Sequence, residues 1–147
     1  MKKTILLVED SKVQKLAGEK LLHRAGYLVL LAGDGEEGLR LARESRPDLV
    51  LLDLRLPGIE GEEVLYALKR DPLTQQIPVI IVSDQAASNS AKLKASGAAD
   101  YFEKSRFLAS AEGEALFLGM IERVLRESES RSERAEEILP LARRQGA

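Results

Sequence analysis

The chain has 147 residues, 44% of them hydrophobic, which suits one ordinary domain with one sizeable core. Lysine and arginine number 22 against 24 aspartates and glutamates, so the formal charge of -2 gives no overall electrostatic footprint for nucleic acid or an anionic membrane. The absence of cysteine excludes disulfides, thiolate catalysis and cysteine zinc sites, and the single histidine, His23, excludes a multi-histidine cluster, so any metal must be held by oxygen.

The chain opens Met1-Lys2-Lys3-Thr4, and the apolar run Ile5 to Val8 is too short for a signal peptide. No stretch approaches the roughly 20 apolar residues that span a bilayer, and the expectation is a soluble cytoplasmic protein. A first strand over Ile5–Val8 leads to a helix with the apolar stripe Val13, Leu16, Ala17 and Leu21, closed by Gly26. Leu28 to Ala32 reads as the second strand, Gly33 to Gly35 as a turn, and Leu39 with Ala42 as the inner face of a second helix. Pro47 precedes a third strand at Leu49–Leu52, and Pro57 with Gly58 follows it. Val64, Leu65 and Leu68 then mark a third helix, ended by Pro72.

Pro78 opens a fourth strand over Val79–Val82. The fourth helix, Ala86 to Ser96, offers mainly alanines and Leu93 for burial, which predicts a loosely held and mobile element capped by Gly97. A weaker fifth strand spans Ala98–Phe102, and Leu116, Ile121, Val124 and Leu125 form the stripe of a fifth helix, with Ser110 a candidate N-cap. Residues 128–147 carry four acidic and four basic side chains and form a charged extension, helical or disordered, appended to a domain over 1–127. Glu122 with Arg126 and Glu127 with Arg131 suit a helix continuing past the core until Pro140 interrupts it. Leu118, Ile121 and Leu125 are not followed by apolar residues at the next heptad positions, so no sustained coiled coil is expected.

The strands read as unbroken apolar runs rather than alternating ones, the mark of a parallel sheet covered on both faces. Alternating strands and helices with right-handed crossovers give an α/β, doubly wound, five-stranded parallel sheet, with ligands bound beyond the strands' carboxyl ends. In the order 2-1-3-4-5, the ends of the first, third, fourth and fifth strands meet. They carry Glu9 and Asp10, then Asp53, then Ser83, then Lys104. Three carboxylates in one crevice repel one another unless a cation joins them, and their oxygens suit Mg²⁺, which binds through one or two carboxylates and retains waters. Lys104 and Ser83 would help to neutralise a phosphoryl group while Asp53 attacks phosphorus in line, forming an acyl phosphate.

The runs Ile5-Leu6-Leu7-Val8-Glu9-Asp10, Val50-Leu51-Leu52-Asp53-Leu54-Arg55-Leu56-Pro57-Gly58, Ile77-Pro78-Val79-Ile80-Ile81-Val82-Ser83 and Gly97-Ala98-Ala99-Asp100-Tyr101-Phe102-Glu103-Lys104, in this order, resemble the receiver domain of two-component response regulators over roughly residues 1–125. The resemblance implies a flavodoxin-like three-layer sandwich similar to the stand-alone chemotaxis regulators. It implies a phosphoacceptor at Asp53 and Mg²⁺ bound by Asp10, Asp53, the backbone carbonyl of Arg55 and, through water, Glu9. It also implies that Ser83 and Lys104 meet the phosphoryl group and that Tyr101 is an aromatic switch turning inward as Ser83 moves. The implied donor is a phosphohistidine on a histidine kinase or phosphotransfer protein. The implied readout is the surface of helix four, strand five and helix five, presented to an unknown protein target by a monomer or weak homodimer with no nucleic acid or membrane partner.

The sequence departs from that pattern in places. Lys104 is followed by Ser105 where the family usually has proline, which predicts a trans bond with a displaced lysine, or local strain. Ser83 is followed by Asp84 where the family has a small residue, and Asp84 is read as a cap for helix four, the alternative being a carboxylate aimed into the crevice that repels the donor. Arg55 and Gln85, two positions after Asp53 and Ser83, are not acidic, so nothing obvious speeds hydrolysis, and the stretch Ser105 to Gly113 is longer than usual. The bland readings are a helix or turn cap at Asp53, a cap of the first helix at Asp10 or Ser11, a capping serine at Ser83, a surface lysine at Lys104, a core aromatic at Tyr101 and a surface or boundary residue at His23; the company of the strand-end residues favours a Mg²⁺-dependent phosphoacceptor switch, not an enzyme. Two alternatives remain open: a phosphorylation-independent receiver-like adaptor, and a Mg²⁺-dependent phosphohydrolase of the haloacid dehalogenase type, which would need an acid where Arg55 stands.

Overall fold

The computed structural model describes residues 2–84, 89–105 and 110–145, with side chains as far as 139. Its elements run β1 (Thr4–Val8), α1 (Lys12–Arg24), β2 (Leu28–Ala32), α2 (Gly35–Ser45), β3 (Leu49–Leu52), α3 (Gly61–Arg70), β4 (Val79–Ser83), α4 (Ser90–Ala95), β5 (Asp100–Glu103) and α5 (Ala111–Gln145). The five strands are parallel in the order β2-β1-β3-β4-β5, with Val8 opposite Leu52 and Ser83 opposite Glu103 at their carboxyl ends. The α/β, doubly wound, flavodoxin-like topology read from the sequence is the one observed.

Period-two alternation explains the three layers. Leu6, Val8, Val50, Leu52, Val79 and Ile81 face α2, α3 and α4, where they pack with Ala42, Val64, Leu65, Leu68 and Leu93. Ile5, Leu49, Leu51, Ile80 and Val82 face the other way, onto Leu21 and Leu22 of α1 and Phe117, Ile121, Val124 and Leu125 of α5. Ile5, Leu51, Ile80 and Ile121 are essentially fully buried. Such burial is worth about 1.5–3 kcal/mol per side chain, and a strand loaded on both faces has no polar side to give to solvent.

Several elements differ from the sequence reading. In α1 the buried residues are Gly18, Leu21 and Leu22, while Val13 and Leu16 stay exposed. Gly18 decides this, because a Cβ there would lie 2.8 Å from Leu7 Cδ2, so the helix approaches the sheet along the glycine's face and turns Val13 and Leu16 outward. Likewise Phe117 is buried against Phe102, with ring centroids 5.0 Å apart, and Leu116 is exposed.

The fifth strand begins two residues later than read. The Ala98 N–H closes the end of α4 on the Leu93 carbonyl past Gly97 at φ +109°, and Ala99 N–H reaches Val79 O. α4 is six residues long with Leu93 as its one buried residue; residues 86–88 of the segment read as helix four lie outside the described residues.

Ser110 Oγ accepts from Gly113 N–H at 3.0 Å and so caps α5. That helix crosses 127–128 without a break and passes Pro140, which was expected to interrupt it; a proline removes one bond and favours a kink without ending a helix that can bond on either side. At about 1.5 Å per residue its 35 residues measure about 52 Å. Glu127 pairs with Arg123, itself anchored to Asp100, rather than with Arg131. Among the described residues, no helix is long and apolar enough to cross a membrane.

Candidate functional site

Parallel pairing sets the ends of β1, β3, β4 and β5 along one rim, and a cleft of about 710 Å³ opens there, lined by Glu9, Asp10, Asp53, Ser83, Asp84 and Lys104 among others. Backbone bonds extend the ladder into the site: Glu9 N–H donates to Ala32 O at 2.9 Å and Asp53 N–H to Val8 O at 3.1 Å. Both carboxylates therefore leave the sheet at fixed angles. The loop after Asp53 is fixed by Gly61, whose Cβ position lies 2.4 Å from Asp53 O and 2.5 Å from Leu54 Cα, so only glycine lets α3 start against this backbone.

The rim places ionised groups in near-complete burial. Glu9, Asp53, Ser83 and Lys104 are all buried, none more than 7% exposed, while Asp10 faces solvent. Lys104 Nζ lies 2.9 Å from Asp53 Oδ2 and also donates to Glu9 Oε2 in a short contact. The other oxygens are occupied by the main chain: Ser11 N–H donates to Glu9 Oε1 at 3.0 Å and Arg55 N–H to Asp53 Oδ1 at 3.2 Å.

Burial raises the Glu9 carboxyl above its ordinary range, against the opposing pull of Lys104 and the Ser11 N–H. Burial alone would lower Lys104, but its hydrogen bonds to Glu9 and Asp53 outweigh it and hold the ammonium above an ordinary lysine.

Glu9, Asp10 and Asp53 each offer an oxygen within 4.8 Å of the others. Hard oxygen donors from three carboxylates, one of them solvent-facing, fit the Mg²⁺ site of receiver domains, since that ion binds few protein ligands and keeps waters. Tyr101 lies half-buried, its hydroxyl donating to the Ser83 carbonyl at 3.2 Å, and burial raises its phenol above the ordinary value. Thus Glu9, Asp10, Asp53, Ser83 and Lys104 line one cleft, Arg55 adds its N–H, and Tyr101 stands beside it on the Ser83 carbonyl. His23 is exposed in the last turn of α1, away from the rim. Gln85 lies outside the described residues.

Two expectations change. The Lys104–Ser105 peptide is trans, as no cis bond occurs among the described residues, yet the lysine is not displaced. Asp84 lines the cleft and is tied down there, its Oδ1 accepting the Ser105 N–H at 2.7 Å, while α4 has Asn89 as its N-cap and residues 85–88 before it lie outside the described residues. In the sequence Asp84 and Ser105 stand as two separate departures. The signal that joins them is register, since one follows Ser83 and the other follows the residue after Glu103, its ladder partner.

The chain is similar to known proteins. The chain is 45% identical over 80 residues to the transcriptional regulatory protein AfsQ1 of Streptomyces coelicolor, covering 54% of this chain and 34% of that one, so it spans about a third of that relative's length. It is 38% identical over 101 residues to protein PilH of Pseudomonas aeruginosa, covering 68% of this chain and 84% of PilH. The receiver domain of the sensor histidine kinase PA1611 from Pseudomonas aeruginosa PAO1, solved with a magnesium ion coordinated in its active-site cleft, superposes with a TM-score of 0.74 at 27% identity over 85% of this chain and 98% of that one. Residues 5–109 match the family described as the response regulator receiver domain, whose members are phosphoacceptor switches rather than enzymes, and the chain belongs to that family.

Proposed function

We propose that this protein accepts a phosphoryl group on Asp53 from a phosphohistidine of a histidine kinase or phosphotransfer protein. An Asp53 carboxylate oxygen forms the new O–P bond as the donor's N–P bond breaks, and the imidazole leaves. Asp10, Asp53, the Arg55 carbonyl and, through water, Glu9 would hold Mg²⁺, which supplies positive charge for the carboxylates and the incoming phosphoryl oxygens. Lys104 stabilises the transferring oxygens from the other side, and the Ser83 hydroxyl donates to the phosphoryl group once it is in place. The observation that carries the reading is the buried Lys104 ammonium 2.9 Å from Asp53, at the meeting of three strand ends.

A new group of about -1.5 to -2 charge draws Ser83 and Lys104 toward it. Tyr101, bonded to the Ser83 carbonyl, then registers that movement, and the surface of α4, β5 and α5 carries it to a protein target. On this reading the protein works in the cytoplasm. Incubation with Mg²⁺ and acetyl phosphate should label the wild type with an alkali-labile phosphate and leave Asp53→Asn unlabelled. Equal labelling of both proteins would refute Asp53 as the acceptor.

A further inference from the structure

Two residues without a role in that scheme stand together at the rim. Asp84 directly follows Ser83 at the end of β4, and Ser105 directly follows Lys104 just past β5. The last ladder pair is Ser83 with Glu103, so the Ser105 N–H donating to Asp84 Oδ1 at 2.7 Å ties the two chains together beyond the sheet's end. The donor is the amide nitrogen bonded to the Lys104 carbonyl carbon, so this bond fixes the peptide plane on the carboxyl side of Lys104, as the ladder fixes Glu103 on its amino side. A lysine side chain carries about 2 kcal/mol of rotamer entropy, so an ammonium held between Glu9 and Asp53 needs a backbone that does not swing. A proline at 105 would have no N–H to give, which makes the carboxylate at 84 and the serine at 105 two halves of one feature.

We propose that Asp84 is a positioning residue for phosphoryl transfer: by accepting the Ser105 N–H it holds the Lys104 backbone so that the ammonium stays on Asp53. This rests on Asp53 being the acceptor. It also opposes a purely electrostatic role for Asp84, in which a negative group at the rim repels an anionic donor, because the two make opposite predictions. A tether requires an acceptor at 84, whereas repulsion requires a charge.

The test measures Asp53 phosphorylation by Mg²⁺ and acetyl phosphate over a range of donor concentrations, for wild type, Asp84→Asn, Asp84→Ala, Ser105→Pro and the double variant Asp84→Ala/Ser105→Pro. Asp84 is exposed, so these proteins should fold. Asp84→Ala is expected to lower the maximal rate about tenfold, the scale of one charge-assisted hydrogen bond, with little change in the donor concentration at half-maximal rate. Asp84→Asn, which keeps an oxygen acceptor, should stay within about threefold of wild type. Ser105→Pro should be slow, and adding Asp84→Ala to it should cost nothing further. An Asp84→Ala protein as fast as or faster than wild type, an Asp84→Asn protein as slow as Asp84→Ala, or additive losses in the double variant would overturn the proposal. A readout independent of phosphorylation separates it from the acceptor reading: the Lys104 ammonium signal in a ¹⁵N-resolved NMR spectrum at low temperature, expected in wild type and Asp84→Asn and broadened away in Asp84→Ala. If wild type takes up no phosphate, the acceptor reading fails while that signal still judges the tether, and an unchanged signal in Asp84→Ala refutes it.

Discussion

Replacing Lys104 by methionine removes one ammonium and keeps an apolar stem of similar length. The carboxylates of Glu9 and Asp53, both almost fully buried, would then face each other without their shared cation. Breaking a buried ion pair by removing one partner costs about 3–5 kcal/mol when the remaining charge has no escape. Here it has one, because Glu9 is already pushed upward by burial and can take a proton. Protonating a carboxyl whose ordinary value is 4.5 costs about 1.36 kcal/mol for each pH unit above that value. Protonation of Glu9 therefore softens the loss, which should be about 3 kcal/mol at pH 7 and clearly smaller at pH 5, so the variant should come closer to wild type in acid. Urea unfolding of both proteins at the two pH values reads the difference directly, and added Mg²⁺ should recover part of the loss at pH 7 by supplying another cation. An equal loss at both pH values, or a loss below about 1 kcal/mol at pH 7, would show that Lys104 does not hold the Glu9 and Asp53 carboxylates together.

Gly61→Ala should lower stability by about 2–3 kcal/mol in urea, because the new methyl meets the Asp53 and Leu54 backbone, which has no flexible end to move. Ser110→Ala should cost about 1 kcal/mol through the lost cap at the start of α5, read by the same assay. Alkaline pH bears on Lys104 as well: its folded value is raised, so the stability it contributes is complete below 10.5 and is lost as pH rises through the folded value. Wild type should therefore lose stability beyond 10.5 more steeply than Lys104→Met, which lacks the group.

β2 and β3 were legible to the residue, because a strand covered on both faces is an unbroken apolar run bounded by breakers. The convergence of Glu9, Asp10, Asp53 and Lys104 followed from strand order alone. What sequence could not choose was the rotation of a helix about its own axis. In α1 and α5 the apolar period offers more than one stripe; in α1 the one that is buried follows the small residue that permits close approach, Gly18 against Leu7. Ala98 and Ala99 were apolar enough to read as strand, yet their N–H groups go to Leu93 and Val79 in closing α4 and joining β5 to the sheet. The Asp84–Ser105 bond was hidden for another reason. A side chain accepting from a backbone 21 positions away leaves no trace in local pattern and becomes visible only when the register of β4 and β5 is known.

The two tethers between β4 and β5 act on different groups. Tyr101 Oη holds the carbonyl of Ser83, whereas Asp84 Oδ1 holds the amide that follows Lys104. On the proposed reading, the phosphoryl group draws on the side chains of the residues between these anchors, Ser83 and Lys104. A displacement of Ser83 must then either carry the Tyr101 ring with it or break its hydroxyl bond, and both alter β5. Lys104 needs only to pivot at its ammonium, since its backbone is fixed on both sides. The serine arm therefore transmits a change of shape while the lysine arm supplies charge from a still frame. Substituting Tyr101 by phenylalanine should weaken target response while leaving phosphorylation near its wild-type rate, whereas loss of the Asp84 acceptor should do the reverse.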